Sequence, residues 1–310
     1  MMIEMDGLTK NFGALTAVDH VTLHVNAGEV LALLGPNGAG KTTTVRMLSS
    51  ILKPSAGRAT VAGYDVASEG QKVRQRVGVL TEAPGLYTRM TGREYLNFFG
   101  KLRGMPTGTR EHRINELTER FKLVSALDRR LSEYSKGMRQ KISLIRTLLH
   151  NPPVLLFDEP TSAMDPEGAR IVRDAILELR SDEQRAIIIC THNLAEAEEL
   201  ADWIAIISYG RIVRHGTLTE LKRELLGPPL MELRFTTVPD HYKLVFLSEL
   251  VNVTEQNSTW LRYTAPDLER VNPVILQTLS DAEVPVFSLS EVHQSLESVY
   301  LRVVEEGADE

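Results

Sequence analysis

The chain has 310 residues, 43% of them hydrophobic, with 35 Lys and Arg against 41 Asp and Glu for a formal net charge of −6. That length accommodates two domains with ample core, and the acidic balance excludes the basic footprint of a nucleic-acid binder. The single cysteine, Cys190, excludes an internal disulfide, and apolar runs such as 154–157, 186–190 and 204–207 are too short to span a bilayer.

Residues 1–6 lack a basic region followed by an apolar one, so the expectation is a cytoplasmic chain without a secretion signal. Residues 3–34 alternate in the manner of strands, with turn signals at 11–13 and 26–28. Phe12 is either a core aromatic or a platform for a base. The apolar run 30–34, a buried parallel strand by length, then delivers Gly35-Pro36-Asn37-Gly38-Ala39-Gly40-Lys41-Thr42-Thr43. This fits G-x-x-x-x-G-K-[ST], and a helix start follows it. Glycines let backbone N–H groups converge on phosphate oxygens, the helix N-terminus adds partial positive charge, and Lys41 adds a full one. Thr42 then offers a hydroxyl to Mg²⁺. The stretch reads as a nucleoside triphosphate site.

Short strand signals follow at 58–64 and 76–80. From about Thr91 the period becomes helical: Thr91-Gly92-Arg93-Glu94 is a capping box, and Tyr95, Phe98, Phe99 and Leu102 share one face. A second helix carries Ile114, Leu117 and Phe121 inward, and a third, beginning near Ser135, buries Met138, Ile142, Ile145 and Leu149. The α/β pattern resumes at 154–159, where a buried strand delivers Asp158 and Glu159 at its carboxyl end. Two buried acids need a cation or a proton. A helix near 166–180, a strand at 185–190 leading to Thr191 and His192, a helix across 193–201 and a strand at 203–208 complete this core. Asp158, Glu159 and His192 fall at strand ends, where open α/β sheets bind ligands. After the Gly/Pro break at 226–229 a new pattern gives strands, and helices near 240–250, 271–279 and 296–303, in a β-α-β-β-α-β order resembling the split βαβ, ferredoxin-like arrangement.

At this point the residues resemble the ATP-binding subunit of an ABC transporter over 1 to about 226. The segment Tyr134-Ser135-Lys136-Gly137-Met138-Arg139-Gln140 looks like the family's signature motif in the form common in the branch served by ABC-2 permeases. Residues 154–158 look like Walker B with Glu159 as its catalytic acid, Ser162-Ala163-Met164-Asp165 like the D-loop, and His192 like the switch histidine. The ending 295–301 is similar to endings in drug-resistance ATPases. The implied fold is an α/β P-loop ATPase core at 1–226, with an antiparallel β subdomain and a helical insert at about 88–150, followed by a small α+β accessory domain at 228–310.

The resemblance implies that Thr42 and Asp158 hold Mg²⁺ beside ATP, that Glu159 activates water, that His192 meets the γ-phosphate and that Phe12 stacks on adenine. Ser135 and Gly137 would reach the nucleotide of an opposite subunit, giving a head-to-tail homodimer, and Asp165 of the D-loop joins the nucleotide-binding residues. Glu82 stands where the Q-loop normally has glutamine; it is either a solvated carboxylate or an added anionic ligand for Mg²⁺. The implied function is the ATPase subunit of an exporter, peripheral on the inner face of the membrane, working beneath a separate permease. A soluble ABC ATPase of translation or DNA repair is the alternative, disfavoured by the single cassette and the lack of sustained heptads or a basic patch. A ligand-sensing role for 228–310 competes with a dimerisation or permease-docking role. No polar constellation there suggests a pocket.

Overall fold

A computed structural model describes residues 1–81, 85–162, 164–183, 185–239, 244–292 and 295–306. Chain contacts divide it into two compact units, Met1–Leu218 and Thr219–Glu310. The division falls one helix upstream of the Gly/Pro break expected to mark it.

The first unit begins with β1 (Ile3–Phe12), β2 (Leu15–Val25) and β3 (Val30–Leu34), then α1 (Lys41–Leu48), β4 (Ala56–Val61), β5 (Tyr64–Asp65), α2 (Gly70–Arg76) and β6 (Val77–Leu80). The helical insert follows as α3 (Gly92–Leu102), α4 (Thr107–Arg120) and α5 (Lys136–Leu148). The core closes with β7 (Val154–Asp158), α6 (Pro166–Glu183), β8 (Ala186–Thr191), α7 (Leu194–Leu200), β9 (Trp203–Ser208) and β10 (Arg211–Gly216). An antiparallel sheet runs β2-β1-β4-β5, and a six-stranded sheet runs β10-β9-β3-β8-β7-β6, parallel except for β10 at its edge.

The strands of the larger sheet read as unbroken apolar runs because both faces are covered. Side chains alternate between two cores. Leu155 and Phe157 of β7 and Ile187 and Ile189 of β8 join a cluster with Tyr95, Leu117, Phe121 and Ile145 of the helical insert. Val154, Leu156, Ile188 and Cys190 instead join Val45 and Leu48 of α1 and the inner side chains of β1 and β2. Each such residue, fully buried, contributes roughly 1.5–3 kcal/mol.

In the insert, Thr91 accepts from the Glu94 amide while the Glu94 carboxylate accepts from the Thr91 amide, the reciprocal cap that starts α3. The face of α3 differs from expectation. Tyr95 and Leu96 are buried, whereas Phe98 is 40% and Leu102 69% exposed. The reason is Gly100: a Cβ there would lie 2.4 Å from Arg110 of α4, so α4 closes on α3 through Gly100 and Asn97, which accepts from Arg110 at 2.7 Å. Met138, expected inward on α5, is only half-buried, while Ile142, Ile145 and Leu149 are buried.

The helix α8 (Leu218–Leu226) leads into β11 (Met231–Phe235), α9 (Leu247–Leu250), β12 (Asn252–Gln256), β13 (Trp260–Thr264), α10 (Leu268–Asp281), β14 (Val286–Glu291) and α11 (Leu296–Glu306). The sheet order is β12-β13-β11-β14, antiparallel throughout. This is a β-α-β-β-α-β topology with α11 added. Its own core gathers Leu233, Leu247, Leu261, Tyr263, Ile275 and Leu279. Residues 240–243 of the expected helix at 240–250 lie outside the described residues.

Because the first unit owns two complete cores, residues 1–218 expressed alone should fold and unfold in one cooperative thermal transition followed by circular dichroism. A truncated chain with no such transition would place the boundary elsewhere.

Candidate active site

The loop 35–40 begins where β3 ends, with β3 hydrogen-bonded between β8 and β9. Backbone closeness dictates its glycines. A Cβ on Gly35 would stand 2.3 Å from the Ile207 carbonyl, and Gly40 combines φ +107° with a Cβ position 2.4 Å from the Ala17 carbonyl. Pro36, Asn37 and Gly38 are exposed, while Ala39 is buried and seats the loop. Gly40 caps α1 without a side-chain hydrogen bond, so the first-turn amides remain available to an anion. Lys41, only 6% exposed, donates from Nζ to the Gly35 carbonyl at 2.6 Å and to the Pro36 carbonyl at 3.0 Å. Its ammonium is held within the curl of the loop. Thr42 and Thr43 follow half-buried on α1.

Sheet register brings the remaining groups to the same edge. Leu34 pairs with Thr191 across β3 and β8, and Asp158 pairs with Cys190 across β7 and β8. The Thr42 hydroxyl donates to Asp158 Oδ2 at 2.8 Å. Glu159 has φ +54°, a costly conformation for a residue with a Cβ, and its amide donates to the Cys190 carbonyl at 2.9 Å. Its Oε1 accepts the His192 amide at 3.1 Å and lies 2.7 Å from His192 Nδ1. A carboxylate only accepts, so Nδ1 carries the proton and Nε2 is free for another partner. Asp158 is 3% and Glu159 8% exposed, whereas the His192 side chain is 65% exposed. Cys190 packs its sulfur 3.9 Å from the Lys41 carbonyl. Burial, and next the Asp158 carboxylate, push its thiol well above the usual value, so it remains protonated.

The structure therefore brings Lys41, Thr42, Asp158, Glu159 and His192 into one place, while other expected residues make the local contacts that follow. Phe12 ends β1, 47% exposed, with Lys10 Nζ 5.3 Å from its ring centroid. Ser135 is an exposed N-cap of α5, accepting from the Met138 amide at 3.2 Å, and a Cβ on Gly137 would meet open space. Asp165 caps α6 by accepting from the Gly168 amide at 2.6 Å. Glu82 and Ala163 lie outside the described residues.

Two participants carried no site assignment in the sequence reading. Gln140, on the same helix as Ser135 and 7% exposed, directs Nε2 to the carbonyls of Glu159 at 3.4 Å and Pro160 at 3.1 Å. Glu196, on α7 and 1% exposed, accepts from the Thr161 hydroxyl at 2.6 Å. Burial, its largest influence, raises the Glu196 carboxyl above the usual carboxylate range. The available signals were local: Gln140 ends the signature-like segment, and Glu196 sits three residues after the helix cap Asn193.

Among the described residues, no group of three His, Cys, Asp or Glu side chains could hold a metal ion alone. The paired Thr42 hydroxyl and Asp158 carboxylate are hard oxygen donors. They fit Mg²⁺, which takes one or two protein oxygens and completes its shell with phosphate and water. In the second unit, a cavity of about 460 Å³ is lined by Leu244, Leu247, Ser248, Val253, Glu255 and Leu261 among others. No polar constellation in the sequence marks it, because its polar lining, Ser248 with Thr254, Glu255 and Gln256, comes from two separate short segments among apolar side chains.

Residues 18–162 match the ABC transporter family. The chain is 42% identical to the ABC transporter ATP-binding protein NatA of Bacillus subtilis, over 66% of this chain and 83% of that protein. It is 36% identical to the daunorubicin/doxorubicin resistance ATP-binding protein DrrA of Streptomyces peucetius, over 99% of this chain and 94% of that one. A solved ATP-binding subunit of an ABC transporter superposes with a TM-score of 0.69 at 30% identity, covering 73% of this chain and 94% of that chain.

Gly40→Ala should destabilise the protein by about 1–3 kcal/mol in denaturant unfolding, from left-handed strain alone and more from the carbonyl contact. Gly38→Ala shares the positive φ, at +83°, but adds a Cβ into open space. It should cost less; equal losses would show that the Ala17 contact carries no weight.

Proposed function

This chain belongs to the ABC transporter family as an ATP-hydrolysing protein, and from that premise we propose that it is the motor of an ABC-2 type exporter, closing as a head-to-tail homodimer on two ATP molecules beneath a separate permease. The observation that carries this reading is the hydrogen-bonded set at the loop: Thr42 with Asp158, and Glu159 with His192.

In this mechanism the α1 amides and Lys41 cradle the β- and γ-phosphates, with the ammonium exchanging its two carbonyl partners for phosphate oxygens. Thr42 and Asp158 would hold Mg²⁺, directly or through water, and the ion would supply neutralisation of phosphate charge. Glu159 takes a proton from the attacking water. His192 orients Glu159 through Nδ1 and presents Nε2 toward the γ-phosphate. Phe12 offers its exposed face to adenine.

The exposure of Ser135 and the open space around Gly137 at the start of α5 support a composite site, in which the α5 N-terminus of one chain, with the D-loop Asp165, serves the nucleotide of the other. A role in export is supported by the likeness to DrrA over nearly the full length of both chains. Exposed Tyr87, Phe98 and Leu102 form an apolar ridge on the insert that suits a docking surface for the permease. No helix among the described residues is long and apolar enough to cross a membrane, which suits a peripheral subunit on the cytoplasmic face.

Lys41→Ala should lower ATP turnover by roughly 10²–10³-fold, the scale of losing one preorganised charge-stabilising group. Glu159→Gln should retain ATP binding, stop hydrolysis and trap a dimer visible by size exclusion; a monomer under saturating Mg-ATP would contradict the mechanism. The composite site is tested by mixing. Lys41→Ala and Ser135→Arg homodimers are each expected to be inactive, yet their heterodimer contains one intact site, so phosphate release should return on mixing. Tagged heterodimers that form without recovering turnover would overturn the composite site.

A further inference from the structure

The turn 159–161 is tied to two helices by buried side chains that do not themselves reach the phosphate loop. From α5, the Gln140 amide faces two carbonyls, an arrangement that only its NH₂ side can satisfy. From α7, Glu196 takes the Thr161 hydroxyl, while the Ser162 amide closes the turn onto the Glu159 carbonyl at 3.2 Å. This turn carries the general base, and Glu159 sits in it at φ +54°. A strained conformation persists only where its surroundings hold it. The His192 amide and ring hold the Glu159 carboxylate; Gln140 holds the Glu159 and Pro160 carbonyls beneath it, and Glu196 holds the Thr161 side chain at the end of the turn.

Gln140 lies five residues beyond Ser135, about 7.5 Å along the α5 axis. We propose that Gln140 and Glu196 are positioning residues for hydrolysis, fixing the turn that presents Glu159, and that through Gln140 each signature helix sets the general base of its own chain. This rests on the composite dimer proposed above. There Ser135 of one chain meets the nucleotide of the opposite site, while Glu159 of that same chain works on its own. A γ-phosphate that seats α5 at one site therefore places the base at the other. The contacts of Gln140 and Glu196 described above are with the turn and not with the phosphate loop, so their contribution lies in turnover and not in affinity.

The test uses the full-length chain. Gln140→Met keeps the side chain's length and removes its N–H groups; kcat should fall about ten- to a hundredfold, the cost of a small misplacement of a reacting group. KM for ATP and the thermal midpoint should stay within about twofold and about 2 °C of the parent. Glu196→Ala should lower kcat similarly, and Glu196→Gln, which retains an acceptor for Thr161, should restore most of it. Turnover of Gln140→Met within twofold of the parent, or a rise in KM as large as the loss of kcat, would overturn the proposal.

The direction of action is read in the mixed dimer, whose single intact site uses Glu159 of the Ser135→Arg chain and the signature helix of the Lys41→Ala chain. Adding Gln140→Met to the Ser135→Arg chain should lower the recovered turnover. A greater loss when it is added to the Lys41→Ala chain would mean that Gln140 acts through the signature contact, and the proposal fails. A parent mixture that recovers no turnover sinks the composite dimer, while the comparison of kcat with KM still decides whether Gln140 and Glu196 position the base.

Discussion

Two adjacent carboxylates, Asp158 and Glu159, are nearly withdrawn from water at the end of one strand. Removing a carboxylate from water costs several kcal/mol unless hydrogen bonds or opposite charge offset it. The organisation around them answers that demand. Asp158 takes the Thr42 hydroxyl, and Glu159 takes both the amide and the ring of His192. Lys41 keeps a buried ammonium within the loop that β3 delivers beside them. The partners come from two segments, the phosphate loop after β3 and the end of β8, and a parallel sheet with its carboxyl ends aligned brings both to the edge where β7 ends.

Sequence legibility tracked how local each cause was. The phosphate loop, the Asp158 and Glu159 pair and the Thr91 and Glu94 cap are written in consecutive residues, because their chemistry is settled within one turn of chain. Elements with little of their own core were missed. In α2 only Val73 is buried, and β10 is a half-buried edge strand paired on one side. The face of α3 was misjudged because the deciding contact, Arg110 against Gly100, belongs to a different helix. Local signals mark the positions of Gln140 and Glu196 but not their partners, for the same reason. An amide or a carboxylate on a helix says nothing of which carbonyl or hydroxyl waits across the fold.

ATP hydrolysis and ABC membership also constrain how an exporter motor of this kind can work. The catalytic groups sit on the sheet edge, while the signature helix and the exposed aromatic ridge belong to the insert. The insert shares one extended core with the sheet, including Phe157 and Ile189 immediately before the site. Such a core is close-packed and resists continuous deformation, so motion passes between these layers as small rigid displacements.

The alternation of side chains along β7 and β8 has a further consequence. Odd-numbered residues of these strands face the helical insert and even-numbered ones face the nucleotide-binding layer, which makes the sheet a partition with a parity. A substitution at Leu155 loads one compartment, and its neighbour Leu156 loads the other. The two compartments can therefore diverge in sequence almost independently, one adapting to whatever membrane protein it meets while the other conserves the geometry of a phosphate. What both must keep in common is the strand backbone, and that backbone ends at Asp158 and Thr191.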